Sequence, residues 1–461
     1  MAEAVRRAAA DAGLSSVPDV DSIRVVQSLS HRYRDPARFV AAELGITAKE
    51  CASTTGGGNT PQSLVNLTSL EMLRGEVDLV VLTGGEAWRT RRIARAAEVE
   101  LWEPVDESVT PDRLIGGELT MTHPAERAAG IMMPVQIYPM FETALRAARS
   151  ELPAEHLRRV AQLWSRFAAV AANNPHAWVR SGPSAEDIAT PGPSNRMIGL
   201  PYPKMMNSNN DVDQGAAVIM CTVEKATSLG IARDRWVFPH SGTDCHEHYF
   251  VSNRLNLAET PAIALGGRLA LELAGVTIDD IEVIDLYSCF PSAVQLGAAS
   301  LGISTDRQLT RTGGLSFAGG PWNNYVMHSI ATVMADLRDR PGAKGLVWAN
   351  GGYVTKHAFG IYSTEPPAAA FQHASPQDEI DAMPQRELAE GADAAGTAII
   401  EAFTVMHSRD GAPETAFAAC LLPDRRRAWG RTADPSTVSA MTDGEWVGRS
   451  VRLDDAGELH V

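Results

Sequence analysis

From Ser22 to Thr90, short apolar runs alternate with segments that repeat apolar residues every three or four positions. Runs at Ile23–Val26, Ala52–Thr54 and Leu79–Leu82 predict parallel strands, with helices through Arg38–Leu44 and Pro61–Leu73 as the crossovers. Asn59-Thr60-Pro61 suits a helix start, because Asn or Thr can cap and proline is tolerated at the first helical position. The N-terminus of such a helix can point backbone N–H groups at a ligand oxygen. Ahead of this region, Met1–Gly13 predicts an amphipathic helix with Val5, Ala8, Ala9 and Ala12 on one side and a closing glycine.

The pattern recurs. Phe317-Ala-Gly-Gly-Pro-Trp-Asn323, a helical stretch through Leu337 and Gly345-Leu-Val-Trp-Ala-Asn-Gly-Gly352 echo Thr55-Gly-Gly-Gly-Asn-Thr-Pro61, its helix and Leu79–Gly85. Glycines at a helix start and a Gly-Gly after the next strand, found twice, point to internal duplication. Between the repeats, residues 101–205 are rich in helix formers, with helices expected over Val135–Ser150 and Ala154–Asn173. Asn207–Ala217 follows, its Gly-Ala-Ala permitting close backbone packing at a strand start.

After Tyr362 the texture changes. Pro366-Pro367, alanines and polar residues predict a linker over 363–395. Strand patterns at Ala398–Met406, Thr415–Leu422, Arg427–Thr432, Ser450–Leu453 and Leu459–Val461 follow, with a hairpin signal at Asp410-Gly411 and a helix near Ser436–Met441. That order predicts a small OB-like β-barrel over 396–461.

At 461 residues the chain exceeds one small core, and two or three domains are expected. A net charge of -15 argues against broad binding to phosphate backbones. Arg425-Arg426-Arg427 with Trp429 and Arg431 has the chemistry to stack and neutralise a single strand. The acidic whole and the shortness of the run favour packing onto the core or a partner instead. Five cysteines without CxxC spacing suit a reducing compartment, taken here as the cytoplasm. No apolar run approaches the ~18 residues of a membrane span, and the N-terminus lacks the regions of a signal peptide. Cys245-His246-Glu247-His248 offers zinc-ligand chemistry, but no second cluster of matching spacing accompanies it, so an ordinary loop and no metal are expected.

The stretch Cys51-Ala-Ser-Thr-Thr-Gly-Gly-Gly-Asn-Thr-Pro-Gln62, with its helix and Val77–Glu86, resembles the nucleophile loop of the thiolase superfamily. The resemblance implies an α/β fold of duplicated βαβαβ halves layered α/β/α/β/α. It implies a first half over 1–100, a loop domain over 101–205 that covers the active site and supplies part of a CoA pocket, and the rest of the core over 206–362. In the family a core strand precedes the first helix, so that strand is expected to be missing here and one sheet edge exposed.

Counting back from Gly75 and Asp78 puts Gly58 where the family has its reactive cysteine. Gly319-Gly-Pro321 matches the Gly-His-Pro motif with Gly320 at the histidine, and Trp348 stands at the second cysteine. Asp285-Leu-Tyr-Ser-Cys-Phe290 resembles the His-Asp-Cys-Phe motif of the sterol-carrier-protein type of thiolase, with Tyr287 at the histidine. Cysteine acylation and its oxyanion support would need those groups.

The expectation is therefore an acetyl-CoA acetyltransferase-like protein that acts on or binds acyl-CoA thioesters without ordinary cysteine-dependent thiolase activity. One alternative is a retro-aldol lyase acting on a 3-hydroxyacyl-CoA through Tyr287 and Tyr353, as thiolase-fold aldolases are thought to act. Another is a noncatalytic acyl-CoA or lipid carrier, or a subunit of a larger complex. Asn59, Asn323, Asn350 and His357 are the substrate-binding candidates. The CoA thioester is a substrate or ligand and no bound cofactor is expected. A homodimer, or a hetero-complex with another lipid-metabolism subunit, is the expected assembly.

Overall fold

Two glycine-led helices, Thr60–Leu73 and Tyr325–Arg338, pack against each other in the middle layer, each between two sheets. The computed structural model describes residues 1–101 and 108–461, so part of the expected loop domain lies outside the described residues. The Thr60–Leu73 helix is buried on most of its circumference, and its polar side chains are satisfied inside. Gln62 Oε1 accepts from the Tyr362 hydroxyl at 2.8 Å, and Glu71 pairs with buried Arg24 and, at 2.8 Å, with Arg113. Asn59 stands at the cap position but makes no capping bond there, contrary to expectation; its amide donates to Ser63 Oγ at 3.2 Å.

In chain order the first sheet comprises β1 (Val20–Val25), β2 (Ala48–Thr54), β3 (Leu79–Ala87) and β4 (Arg113–Ile115). The inserted segment contributes helices Pro134–Ala148 and Pro153–Asn173 and a hairpin, β5 (Met197–Gly199) and β6 (Tyr202–Pro203). β7 (Asp213–Cys221) then completes the sheet, in the order β4-β2-β1-β3-β7. β1 to β4 run parallel and β7 pairs antiparallel with β3 over its whole length. Among the described residues no strand lies on the outer edge of β7.

The second sheet comprises β8 (Phe238–His246), β9 (Ile281–Leu286), β10 (Lys344–Gly351), β11 (Lys356–Ser363) and β12 (Gln372–Ala374), in the order β12-β8-β11-β10-β9. β11 is antiparallel to β10, as β7 is to β3, and β8 covers the outer edge of β11 in antiparallel register. The helix Pro261–Leu273 packs on β8 and β11, whereas the helix Ala2–Asp11 packs on β7. β12 and the short helix Gln377–Asp381 fall within the expected linker over 363–395. A three-residue strand is too short to show a period in sequence.

The C-terminal sheet comprises β13 (Gly396–His407), β14 (Pro413–Leu421), β15 (Arg427–Thr432), β16 (Ser450–Leu453) and β17 (Leu459–His460), in the order β15-β14-β13-β16-β17. Expected as a barrel, it is not closed by a ladder among the described residues: β15 meets only the residue before β17, at a single parallel bridge from Arg431 to Glu458. The β5 end at Gly199 pairs with Met406 of β13. Arg427 is fully buried, donating to the carbonyls of Val251, Ser252 and Arg254 at 3.1, 2.8 and 2.7 Å and to the Glu401 carboxylate. Trp429 Nε1 donates to Ser252 Oγ at 2.9 Å, so the basic run is spent in part on the core. Among the described residues no helix is long and apolar enough to cross a membrane.

Candidate functional site

The two glycine loops lie side by side, joined by Asn323. Its side-chain oxygen accepts the Gly57 N–H at 3.0 Å, and its amide donates to the Gln27 carbonyl at 3.0 Å. Both ends of this predicted substrate-binding side chain are therefore engaged within the protein.

At Gly58 the space of a side chain is already taken. An ideal Cβ there would lie 2.4 Å from the Asn350 carbonyl oxygen and 2.6 Å from the Tyr287 hydroxyl. Both distances are below what real Cβ contacts tolerate. The absence of the thiol and the presence of Tyr287 are thus one steric arrangement. The other two positions behave alike. A Cβ on Gly320 would meet Asn210 Oδ1 at 2.7 Å, and the Gly320 N–H donates to the Asn209 carbonyl at 2.9 Å. The Trp348 ring is buried over Gly297 of the helix Pro291–Ser300, where a Cβ would approach it to 2.5 Å.

Tyr287 stands edge-on to Tyr325 at 5.6 Å between ring centres. Burial raises its pKa well above the ordinary phenol value, and its hydroxyl makes no hydrogen bond among the described residues. Tyr353 is also pushed up by burial, and its hydroxyl donates to the Met132 carbonyl at 2.7 Å. Neither tyrosine has the lowered pKa that a resting base would need. Cys289 is buried, its thiol pushed up to about 12, which fits a core residue.

Asn59 and Asn350 are brought to the loop, each with a buried side-chain oxygen that has no hydrogen-bond partner among the described residues. The Asn350 amide donates to the Tyr138 hydroxyl at 3.1 Å. Tyr138, from the inserted helix Pro134–Ala148, was not singled out in sequence. Its hydroxyl donates to the Gly352 carbonyl at 2.9 Å and accepts the Val354 N–H at 3.2 Å. It ties the insertion to the β10–β11 turn.

His357 does not reach the loop. It lies buried beside Trp348, whose Nε1 donates to its Nδ1 at 3.3 Å, and desolvation holds the imidazole well below its usual pKa. Its neighbour Lys356 takes the place instead. Lys356 Nζ donates to the Gly56 carbonyl at 2.8 Å, and burial lowers its pKa. Strand alternation explains the exchange, since successive residues of β11 face opposite sides. The Cys245–His248 run serves structure: Cys245 Sγ donates to the Ala262 carbonyl at 3.4 Å and Glu247 accepts the Ala262 N–H at 3.0 Å. Among the described residues no three His, Cys, Asp or Glu side chains come together as a metal site.

Two sheets that each carry a buried glycine-led helix, with a helical insertion anchored over the loops, define a thiolase-type fold. A solved monomeric SCP2-thiolase-like protein type 1 from Mycobacterium smegmatis is similar at 30% identity, covering 98% of this chain and 91% of that one, with a TM-score of 0.81. The profile of the family described as thiolase-like protein type 1 additional C-terminal domain matches residues 376–458. The chain belongs to the SCP2-thiolase-like protein type 1 family of the thiolase superfamily. An acetyl-CoA acetyltransferase of Syntrophomonas wolfei is 30% identical over 143 residues, 30% of this chain and about a third, 33%, of that protein's length. A structure titled Ltp2-ChsH2(DUF35) aldolase is 20% identical over 78% of this chain and 91% of that chain, with a TM-score of 0.57, which is a likeness of fold alone.

Proposed function

We propose that this protein binds an acyl-CoA thioester in the thiolase manner without forming an acyl-cysteine intermediate. The observation that carries this reading is the Tyr287 hydroxyl and the Asn350 carbonyl standing where a side chain of residue 58 would project. Asn59 Oδ1 and Asn350 Oδ1, buried and without hydrogen-bond partners among the described residues, supply polar groups for a ligand at the loop. The acetyl-CoA acetyltransferase relative supports the choice of a CoA thioester. In this reading residues 1–100 and 206–362 form the duplicated core and 101–205 the loop domain. The C-terminal sheet is an opened OB-type unit whose boundary lies nearer 376 than 396. Five free cysteines favour a cytoplasmic setting.

The test is incubation with acetyl-, acetoacetyl- and longer 3-oxoacyl-CoAs, with titration calorimetry for binding and intact-mass spectrometry for adducts. Saturable binding, no acylated protein and no thiolysis product are expected. A covalent acyl adduct, or no affinity for any CoA thioester, would overturn the reading.

A second reading, retro-aldol cleavage of a 3-hydroxyacyl-CoA, is favoured by one feature: the unengaged Tyr287 hydroxyl and the Lys356 amine of lowered pKa face the same glycine loop. The amine would take the 3-hydroxyl proton as the C2–C3 bond breaks to give a carbonyl product. The thioester enolate would be stabilised, then protonated, by Tyr287. Product formation from a 3-hydroxyacyl-CoA that Tyr287→Phe abolishes, with binding retained, would select this reading over the first.

A further inference from the structure

Lys356 opens β11 and shares a face of that strand with Gly360, which meets Gln62 of the helix Thr60–Leu73. Its stem runs between two glycines: an ideal Cβ on Gly57 would lie 2.6 Å from Lys356 Nζ, and one on Gly351 would lie 3.1 Å from Lys356 Cε. Glycine at both positions leaves room for the side chain to reach the loop. The amine ends at the Gly56 carbonyl, to which it donates at 2.8 Å, and the residue is half-buried rather than sealed. Asn59 Oδ1 borders the same point, 2.5 Å from the Gly57 Cβ position, and has no hydrogen-bond partner among the described residues.

No carboxylate forms an ion pair with this amine among the described residues. The acid on the same face of the adjoining strand, Asp244 of β8, is taken by Ser63, by Asn66 at 2.8 Å and by His373 at 3.0 Å. An ammonium that is desolvated without a counter-charge gives up its proton more readily, and burial accordingly lowers the pKa of Lys356. A neutral lysine amine is a nucleophile toward ketones, whereas a guanidinium at the same place would hold its proton.

We propose that Lys356, reaching the glycine loop between Gly57 and Gly351, captures the C3 ketone of a 3-oxoacyl thioester as an imine. The inference rests on the binding of a CoA thioester at this loop, and goes beyond it by giving the acyl chain a covalent partner. The amine lone pair attacks C3, the ketone oxygen leaves as water with the two amine hydrogens, and a C=N bond replaces the C=O bond. The thioester stays intact, and nothing is oxidised or reduced. A 3-hydroxyacyl thioester has no ketone at C3 and is not captured.

The probe is acetoacetyl-CoA added with cyanoborohydride to the full chain, read by intact-mass and peptide-mapping mass spectrometry, with acetyl-CoA as the thioester that lacks a ketone. Calorimetry reads acetoacetyl-CoA binding, and pentane-2,4-dione, which needs no CoA site, tests the amine by itself. A reductant-dependent adduct on Lys356 that carries the whole thioester is expected, with none from acetyl-CoA. The dione should label Lys356 about tenfold faster than Lys49, Lys204, Lys225 or Lys344, the other lysines of the chain. Without reductant the imine hydrolyses and leaves no added mass, which separates it from acylation. Lys356→Arg, which keeps a cation beside Gly56, and Lys356→Met should both abolish the adduct; if neither folds, the ranking of the wild-type lysines decides. Two results overturn the proposal: acetoacetyl-CoA that binds but leaves no reduced adduct on Lys356, and an adduct that lacks CoA and forms without reductant. If acetoacetyl-CoA does not bind, the dione decides: faster labelling at Lys356 upholds the reactive amine and sinks the CoA reading alone, whereas equal labelling of the lysines sinks both.

Discussion

The two core sheets are built to one plan and finished differently. In each, two parallel strands flank a buried glycine-led helix and an antiparallel strand follows, β7 in the first and β11 in the second. β11 is covered by β8, and β8 in turn by β12, while among the described residues no strand covers β7. An uncovered strand is a template for pairing, which proteins ordinarily blunt with charge, proline or a covering element. β7 reads Asp-Gln-Gly-Ala-Ala-Val-Ile-Met-Cys and, away from its partner β3, has only helices beside it among the described residues. Among the described residues, the two halves therefore differ in the cover on that antiparallel strand.

The largest test of that comparison lies on the covered side. Trp348→Ala removes a fully buried ring and leaves a cavity over Gly297, and should cost roughly 4 kcal/mol in urea unfolding. Native-state hydrogen exchange should separate the two antiparallel strands directly: alternate amides of β7 should exchange about a hundredfold faster than those of β11. Equal protection would mean that the open edge is already paired in solution.

A smaller contrast concerns the two glycine loops. Gly58→Cys meets the Asn350 backbone carbonyl, which cannot turn aside, and should cost about 2 kcal/mol without restoring thiolysis. Adding Tyr287→Phe should recover only part of that loss. Gly320→Ala meets the Asn210 side chain, which can rotate, and should cost about 1 kcal/mol. If the two glycines prove equally tolerant, the loops are not sealed in different ways.

The smallest effect is electrostatic. Desolvation holds the His328 imidazole at about 4, against 6.5 for an ordinary histidine. Between those values the unfolded chain binds the proton and the folded chain does not, so this group lowers stability as pH falls from 6.5 towards 4. The loss should be on the order of 2 kcal/mol, and His328→Gln should flatten that part of the stability–pH curve.

Much of the fold was legible because its signals are local. The Thr60–Leu73 helix shows its proline start, and β15 and β16 coincide with the strands expected at Arg427–Thr432 and Ser450–Leu453. What escaped depends on distant partners. The Asn59 cap failed because its amide turns to Ser63, and β12 is defined only by pairing with β8. At the site, motif position placed Tyr287 against Gly58. The choice between Lys356 and His357 rested on which face of β11 meets the loop, and Tyr138 is brought in from more than 200 residues away.

Arg427 gives the C-terminal sheet a meaning beyond architecture. Its guanidinium is the donor for three carbonyls of the turn at residues 251–254 and binds Glu401 of its own sheet. A relative that lost this tail would have to rebuild that turn at the same time. The extra domain is therefore not a cassette that evolution or an engineer can splice on or off in one step, and its history is bound to that of the core it locks.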